Sequence, residues 1–157
     1  MVEDIVFATQ KDESELQAMF LAYGMYTAGD ITDHVMIKDH DRIVAGAMLT
    51  QTQINEFHLS VFAVNQAEKQ RGIGGTLLKK LLEKPWCYCK NSTMREKSSY
   101  RITTQSRGMA VNFYQKWGFA KCDFQSLAKP FDQQCNECPD EAMCQPVALQ
   151  FFSKIST

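Results

Sequence analysis

The most constraining feature of this chain is a β-rich run, "EFHLSVFAVN" at residues 56–65, followed almost at once by "KQRGIGGTLLKKLL" at residues 69–82. In the run, Phe57, Leu59, Val61 and Ala63 alternate while Phe62 and Val64 add apolar side chains of the opposite phase. That pattern predicts a strand buried on both faces, and so a central one. Gly72, Gly74 and Gly75 then precede Leu77, Leu78, Leu81 and Leu82, and Pro85 closes the segment. The unit reads as strand, glycine turn, helix, the helix ending before the proline. Glycines at a helix start leave backbone N–H groups uncovered where four amides lack intrahelical partners, which is a seat for a phosphate. The spacing matches neither the G-x-G-x-x-G nor the G-x-x-x-x-G-K-[ST] pattern, and a plain tight turn would also use glycine.

Around this unit the other elements alternate. "DIVFAT" has strand character, and Asp12 with Glu15 resembles a capping box opening a helix with Leu16, Met19, Phe20 and Tyr23 on one face. "HVMIKDHDRIVAGAML" reads as two strands about an Asp-His-Asp turn. Beyond Pro85, residues 85–99 are irregular, "SYRITTQS" is a strand, and "GMAVNFYQKWGF" is a short helix stopped at Gly118. "FAKCDF" and "VALQFFS" are the last two strands, separated by a long, acidic, cysteine-bearing loop at 126–146.

Composition narrows the function. At 157 residues, 45% hydrophobic and 22% charged, the chain is expected to form one domain over 1–157. A formal net charge of −1 gives no global drive toward nucleic acid or an acidic membrane. The segment from Lys79 to Arg101 holds seven Lys or Arg against two Glu, enough to meet a ligand phosphate or an acidic partner, though a solvated helix face would look the same. "MVEDIVFATQKDESEL" lacks the basic and apolar regions of a secretory signal, and no apolar run is of membrane-spanning length. The expectation is a cytoplasmic protein with reduced cysteines that binds neither nucleic acid nor membrane.

A second motif, "AVNFYQKWGF" at residues 110–119, sharpens this. Together with "KQRGIGG" it resembles the GNAT superfamily of acetyl-CoA-dependent N-acetyltransferases, and the order of elements from about residue 3 to residue 152 is similar to that family's. The resemblance implies an α/β (α+β) fold, a mixed and mainly antiparallel sheet with helices on both faces. It implies acetyl-CoA as cosubstrate, its pyrophosphate held by Lys69, Gln70, Arg71, Gly72, Ile73, Gly74, Gly75 and Thr76, with Lys69 standing where the family usually has Arg or Gln. Phe62, Ala63 and Val64 would offer main-chain groups to pantetheine beside a bulge that splays two strands. Asn112 and Lys116 would approach the coenzyme, and Ser106 and Arg107 would lie near the expected cofactor edge, Arg107 standing where the family often has an Asn whose contact it does not reproduce.

Transfer to an amine needs a proton for the departing thiolate and a base or proton path for the amine. By resemblance Tyr114 is the acid; otherwise it is a core tyrosine beside Phe113. His58 stands where histone-acetylating relatives carry a glutamate and titrates near neutrality when unperturbed, with Glu56 two residues earlier on the same strand face. Ordered water is the other option for the base. The expected partner is a small-molecule or peptide amine, with Met25, Tyr26 and the 126–146 loop lining its site, and a homodimer is compatible with the chain. No metal is required. Cys135, Cys138 and Cys144, with Cys122 or Cys87 and Cys89, leave zinc, a disulfide or free thiols open. A noncatalytic acyl-CoA-binding module and a zinc-stabilised interaction domain are the rival readings.

Overall fold

The computed structural model describes residues 4–68, 72–93, 98–133 and 145–153. Strand β1 (Ile5–Phe7) leads through a short 3-10 turn into helix α1 (Glu13–Leu21), and β2 (Val35–Asp39), β3 (Arg42–Gln53) and β4 (Glu56–Val64) follow. Next come α2 (Ile73–Glu83), β5 (Arg101–Ser106), α3 (Val111–Lys116), β6 (Ala120–Lys121) and β7 (Val147–Phe152). They build one seven-stranded sheet, ordered β1-β2-β3-β4-β5-β7-β6. Every pairing is antiparallel except that of β4 with β5. The fold is therefore the mixed, mainly antiparallel α/β one. No helix among the described residues is long and apolar enough to cross a membrane.

The turn between β2 and β3 follows from its residues. His40 and Asp41 both have positive φ, 51° and 67°, which suits the two-residue hairpin that pairs Asp39 with Arg42. The β3–β4 hairpin pairs Gln53 with Glu56, so β3 continues beyond the "AGAML" stretch. "FAKCDF" contributes only the two residues of β6 before a 3-10 turn at Phe124–Ser126.

The entry to α1 corrects one expectation. Asp12 does not open a box with Glu15; its carboxylate reaches back to the Thr9 N–H (2.8 Å) and hydroxyl (3.0 Å), and Asp12 N–H donates to Thr9 O. Lys38 Nζ closes on Asp12 at 2.7 Å, tying the turn to β2. Burial alone would push the Asp12 pKa up, but the Lys38 ammonium and the Thr9 donors together hold it below its ordinary value. Glu15 is spent elsewhere, accepting the Ile43 N–H at 2.7 Å.

Two apolar layers flank the sheet. Leu16, Met19 and Phe20 of α1 pack with Met36, Ile43, Met48, Val61 and Ala63 on one face. Leu77, Leu78, Leu81 and Leu82 of α2 and Val111 and Tyr114 of α3 pack with Phe57 and Leu59 on the other, where Phe62 and Val64 join them. Strict alternation would not put Phe57 and Leu59 with Phe62 and Val64. The phase changes because Leu49 pairs with Leu59 and Met48 with Val61, leaving Ser60 as an extra residue in β4. This bulge explains the doubly apolar pattern of the run.

Candidate active site

β4 and β5 are joined only from Glu56 opposite Arg101 to Leu59 opposite Thr104. Past that point β4 stays with β3 as far as Val64, and β5 stays with β7 as far as Ser106, so the two strands part. The last rung is closed by the Thr104 hydroxyl, which donates to Leu59 O at 2.8 Å. Ser60 stands at the fork.

The walls of the opening follow from strand geometry. Asn65 N–H donates to Val44 O at 2.8 Å, so by antiparallel alternation the backbone groups of Val64 and Phe62 face away from β3 and into the gap. The Tyr23 hydroxyl donates to Val64 O at 2.6 Å, fastening the end of α1 over the same strand. The gap widens into a cavity of about 510 Å³ lined by β4 from Leu59 to Val64, β5 from Thr104 on, Tyr23, Met25, Gly72–Gly75, Phe113 and Tyr114.

The start of α2 forms one end. Gly72 is its N-cap with φ +74°, a left-handed conformation that favours glycine, and space around it is open. No side chain caps the helix, so the first-turn N–H groups are left to a ligand or to water. Gly74 and Gly75 have a packing reason as well: a Cβ on Gly74 would lie 3.0 Å from Val64 Cγ2, and one on Gly75 2.6 Å from Trp117 Cζ2. Thr76 returns its hydroxyl to Gly72 O at 3.1 Å. A neighbouring hollow of about 560 Å³ shares Gly72 and Gly75 and adds Thr76, Lys79, Lys80 and Lys116.

Tyr114 is 7% exposed and lines the cavity, with Phe113 and Phe119 edge-on to its ring at 5.3 Å and Phe62 at 6.2 Å. Burial raises its pKa well above the ordinary phenol value, so the hydroxyl stays protonated. No partner among the described residues takes up that hydroxyl, which leaves a neutral donor at the cavity wall.

The two base candidates lie elsewhere. His58 is 2% exposed, with Nδ1 2.8 Å from the Thr103 hydroxyl and its ring stacked on Phe131 at 3.8 Å. Burial pushes its pKa down to about 3, so it is neutral and a poor proton acceptor at physiological pH. Glu56 lies roughly 13 Å before Ser60 along the strand. It is paired with Arg101 at 2.7 Å and accepts from Thr52 Oγ1 (2.8 Å) and Gln53 Nε2 (3.1 Å). Neither lines the cavity, contrary to the expectation for this strand. The reason is that the parallel pair is still closed at both positions and its polar groups are used to close it.

Asn112 is exposed and lines neither hollow, whereas Lys116 lines the second. Lys69, Gln70, Arg71 and the cluster of Cys135, Cys138 and Cys144 lie outside the described residues. Cys87, Cys89 and Cys122 are free thiols. Sequence reasoning missed Tyr23, Ser60, Thr104 and Gln105. Tyr23 completes the apolar stripe of α1 and carried no separate signal, while the isolated polar Ser60 in an apolar run was the available sign of the bulge.

A sheet split at its single parallel junction, with a bare helix start at the mouth of the split, defines an α/β domain suited to an elongated ligand that is anionic at one end. The chain belongs to the family described as "Acetyltransferase (GNAT) domain", whose model matches residues 10–129. No curated protein matches it in sequence. Solved structures share the fold. N-acetylglutamate synthase from Neisseria gonorrhoeae, complexed with coenzyme A and N-acetyl-glutamate, aligns with TM-score 0.75 and 13% identity over 100% of this chain and 36% of its own. This chain thus spans about a third of that protein. Ard1 from Thermoplasma volcanium aligns with TM-score 0.71 and 14% identity over 98% of this chain and 99% of its own. Arabidopsis thaliana Naa50, in complex with a bisubstrate analogue containing CoA, gives TM-score 0.62 and 14% identity over 96% and 98%.

Proposed function

We propose that the protein transfers acetyl from acetyl-CoA to the primary amine of a small molecule or peptide, by direct attack in a ternary complex. The observation that carries this reading is the fork at Ser60, which turns the Phe62 and Val64 backbone toward a cavity running from the Gly72 helix start to the Tyr114 hydroxyl. The pyrophosphate sits on the first turn of α2, over Gly72, Ile73, Gly74, Gly75 and Thr76, and Lys69, Gln70 and Arg71, which precede that turn in the sequence, complete the set the family resemblance implies. Lys116 and its neighbouring lysines face the remaining phosphate, and pantetheine pairs with Phe62, Ala63 and Val64 as an added strand would.

The amine nitrogen bonds to the thioester carbon, and the oxygen that becomes an anion is met by a fixed donor at the bulge, for which the Phe62 N–H is suited. As the C–S bond breaks, the nitrogen loses one proton and the sulfur gains one. Tyr114 hydrogen-bonds the departing sulfur; because burial disfavours its phenolate, it passes a proton to the sulfur only as the amine proton is returned to it through water, so that Tyr114 ends neutral and the net transfer is from nitrogen to sulfur. The buried, neutral His58 and the paired Glu56 support a water path for the amine proton rather than either side chain as base.

Thermal unfolding with added acetyl-CoA tests the cofactor. At ~100 times Kd the ligand adds roughly 2.7 kcal/mol of stability, and thiol release with a pool of amines then separates the enzyme from a noncatalytic acyl-CoA-binding module. No shift at millimolar acetyl-CoA overturns the reading.

A further inference from the structure

The cavity carries two charged side chains among the described residues, Glu68 and Arg107. Glu68 is committed to an ion pair with Arg42. Arg107 is half-buried, and no carboxylate, carbonyl or ring among the described residues meets its guanidinium. An unpaired cation on the wall of a largely apolar cavity costs solvation energy that a bound anion returns.

Its position says which anion. The guanidinium lies against Gly24, where a Cβ would stand 2.8 Å from Nη2. Gly24 follows α1 and has φ +72°, so both its conformation and its missing side chain make room for Arg107. α1 packs on one face of the sheet and the phosphate-binding start of α2 on the other. Arg107 therefore spans the mouth of the fork on the face opposite the phosphate seat. The lips on either side are apolar: Met25 lines the cavity, Tyr26 is 69% exposed and Met109 is 89% exposed.

We infer that the acceptor is a small amine that carries its own carboxylate, a free amino acid, and that Arg107 binds that carboxylate while the amine points to the fork. This rests on the acetyltransferase reading and narrows it: at a peptide N-terminus the α-carboxyl is an uncharged amide, which offers Arg107 no anion.

The test compares thiol release with pooled L-α- and ω-amino acids against the same compounds as carboxamides, with the acetyl-CoA Kd measured separately by calorimetry. The expected result is turnover of acids over amides by tenfold or more. In Arg107→Gln that preference collapses through a raised KM for the acids, with the acetyl-CoA Kd and melting temperature unchanged, and Arg107→Lys restores part of it. Equal or better turnover of the amides, or no turnover of any acid, overturns the inference. So does a weakened acetyl-CoA Kd in Arg107→Gln, which would assign the guanidinium to the cofactor's phosphates. Absence of acetyl-CoA binding in the unmodified protein overturns the acetyltransferase reading itself, so the two failures are distinguishable.

Discussion

The two halves of the β4–β5 junction share strands and differ in everything else. Up to Leu59 and Thr104 the strands are joined and their polar side chains are mated: Glu56 with Arg101, His58 with Thr103, Thr104 with Leu59 O. Beyond Ser60 the strands part, the Phe62 and Val64 backbone faces a cavity, and Tyr114 and Arg107 line it without side-chain partners among the described residues. A polar group that is buried and satisfied holds the fold; one held at a cavity wall and unsatisfied is available to a ligand. On that criterion the mated His58 and Glu56 group with the closed half, although the position of His58, where histone-acetylating relatives carry a glutamate, and that of Glu56 on the same strand face had suggested bases.

Four changes test this division, from the largest expected effect to the smallest. Glu56→Ala leaves the Arg101 guanidinium in a largely covered site without its carboxylate, and chemical denaturation should register a loss of about 3 kcal/mol. Acetyl-CoA affinity measured below the transition should stay within twofold; a selective loss of affinity would move Glu56 to the open half. Tyr114→Phe should lower kcat by about a hundredfold with little change in melting temperature, whereas unchanged turnover removes the assigned acid.

The third concerns pH. The folded-state pKa of His58 is depressed, so the unfolded chain takes up the proton first and the stabilising contribution is full above about pH 6.5. It falls as pH drops, by about 1.4 kcal/mol per unit down to the folded value near 3. His34, also depressed by burial, adds to the same slope. His58→Gln should flatten the curve between pH 6 and 4, and an unchanged slope would mean that His58 is not buried neutral. Last, Tyr23→Phe removes one hydrogen bond to Val64 O and should cost about 1 kcal/mol in equilibrium unfolding. A larger drop in acetyl-CoA affinity than in stability would show that the bond orients the open half.

The order of elements was legible in the sequence because each strand and helix carries its own period, and Gly72 and Gly118 mark their turns. What escaped was set by contacts between distant segments. Phe131 stacks on His58 from 73 positions away, and Gln105 holds the Phe131 carbonyl with its amide. No local signal in "EFHLSVFAVN" announces that cover. Likewise the apparent capping pair of Asp12 and Glu15 was redirected, because Lys38 and the Ile43 N–H of the neighbouring strands compete for the two carboxylates.

The lone parallel junction also orders events in time. β2, β3 and β4 are joined by tight turns and can pair locally, but Glu56 meets Arg101, 45 positions further along the chain, only after the intervening segment has been brought back. Contacts of such separation form slowly, since the intervening segment must be constrained before any of them is gained. The cleft is then among the last regions to be completed as the chain folds. In hydrogen exchange, amides of β5 should open before those of the β2–β4 meander, and a molecule bound across the gap would slow both sides together.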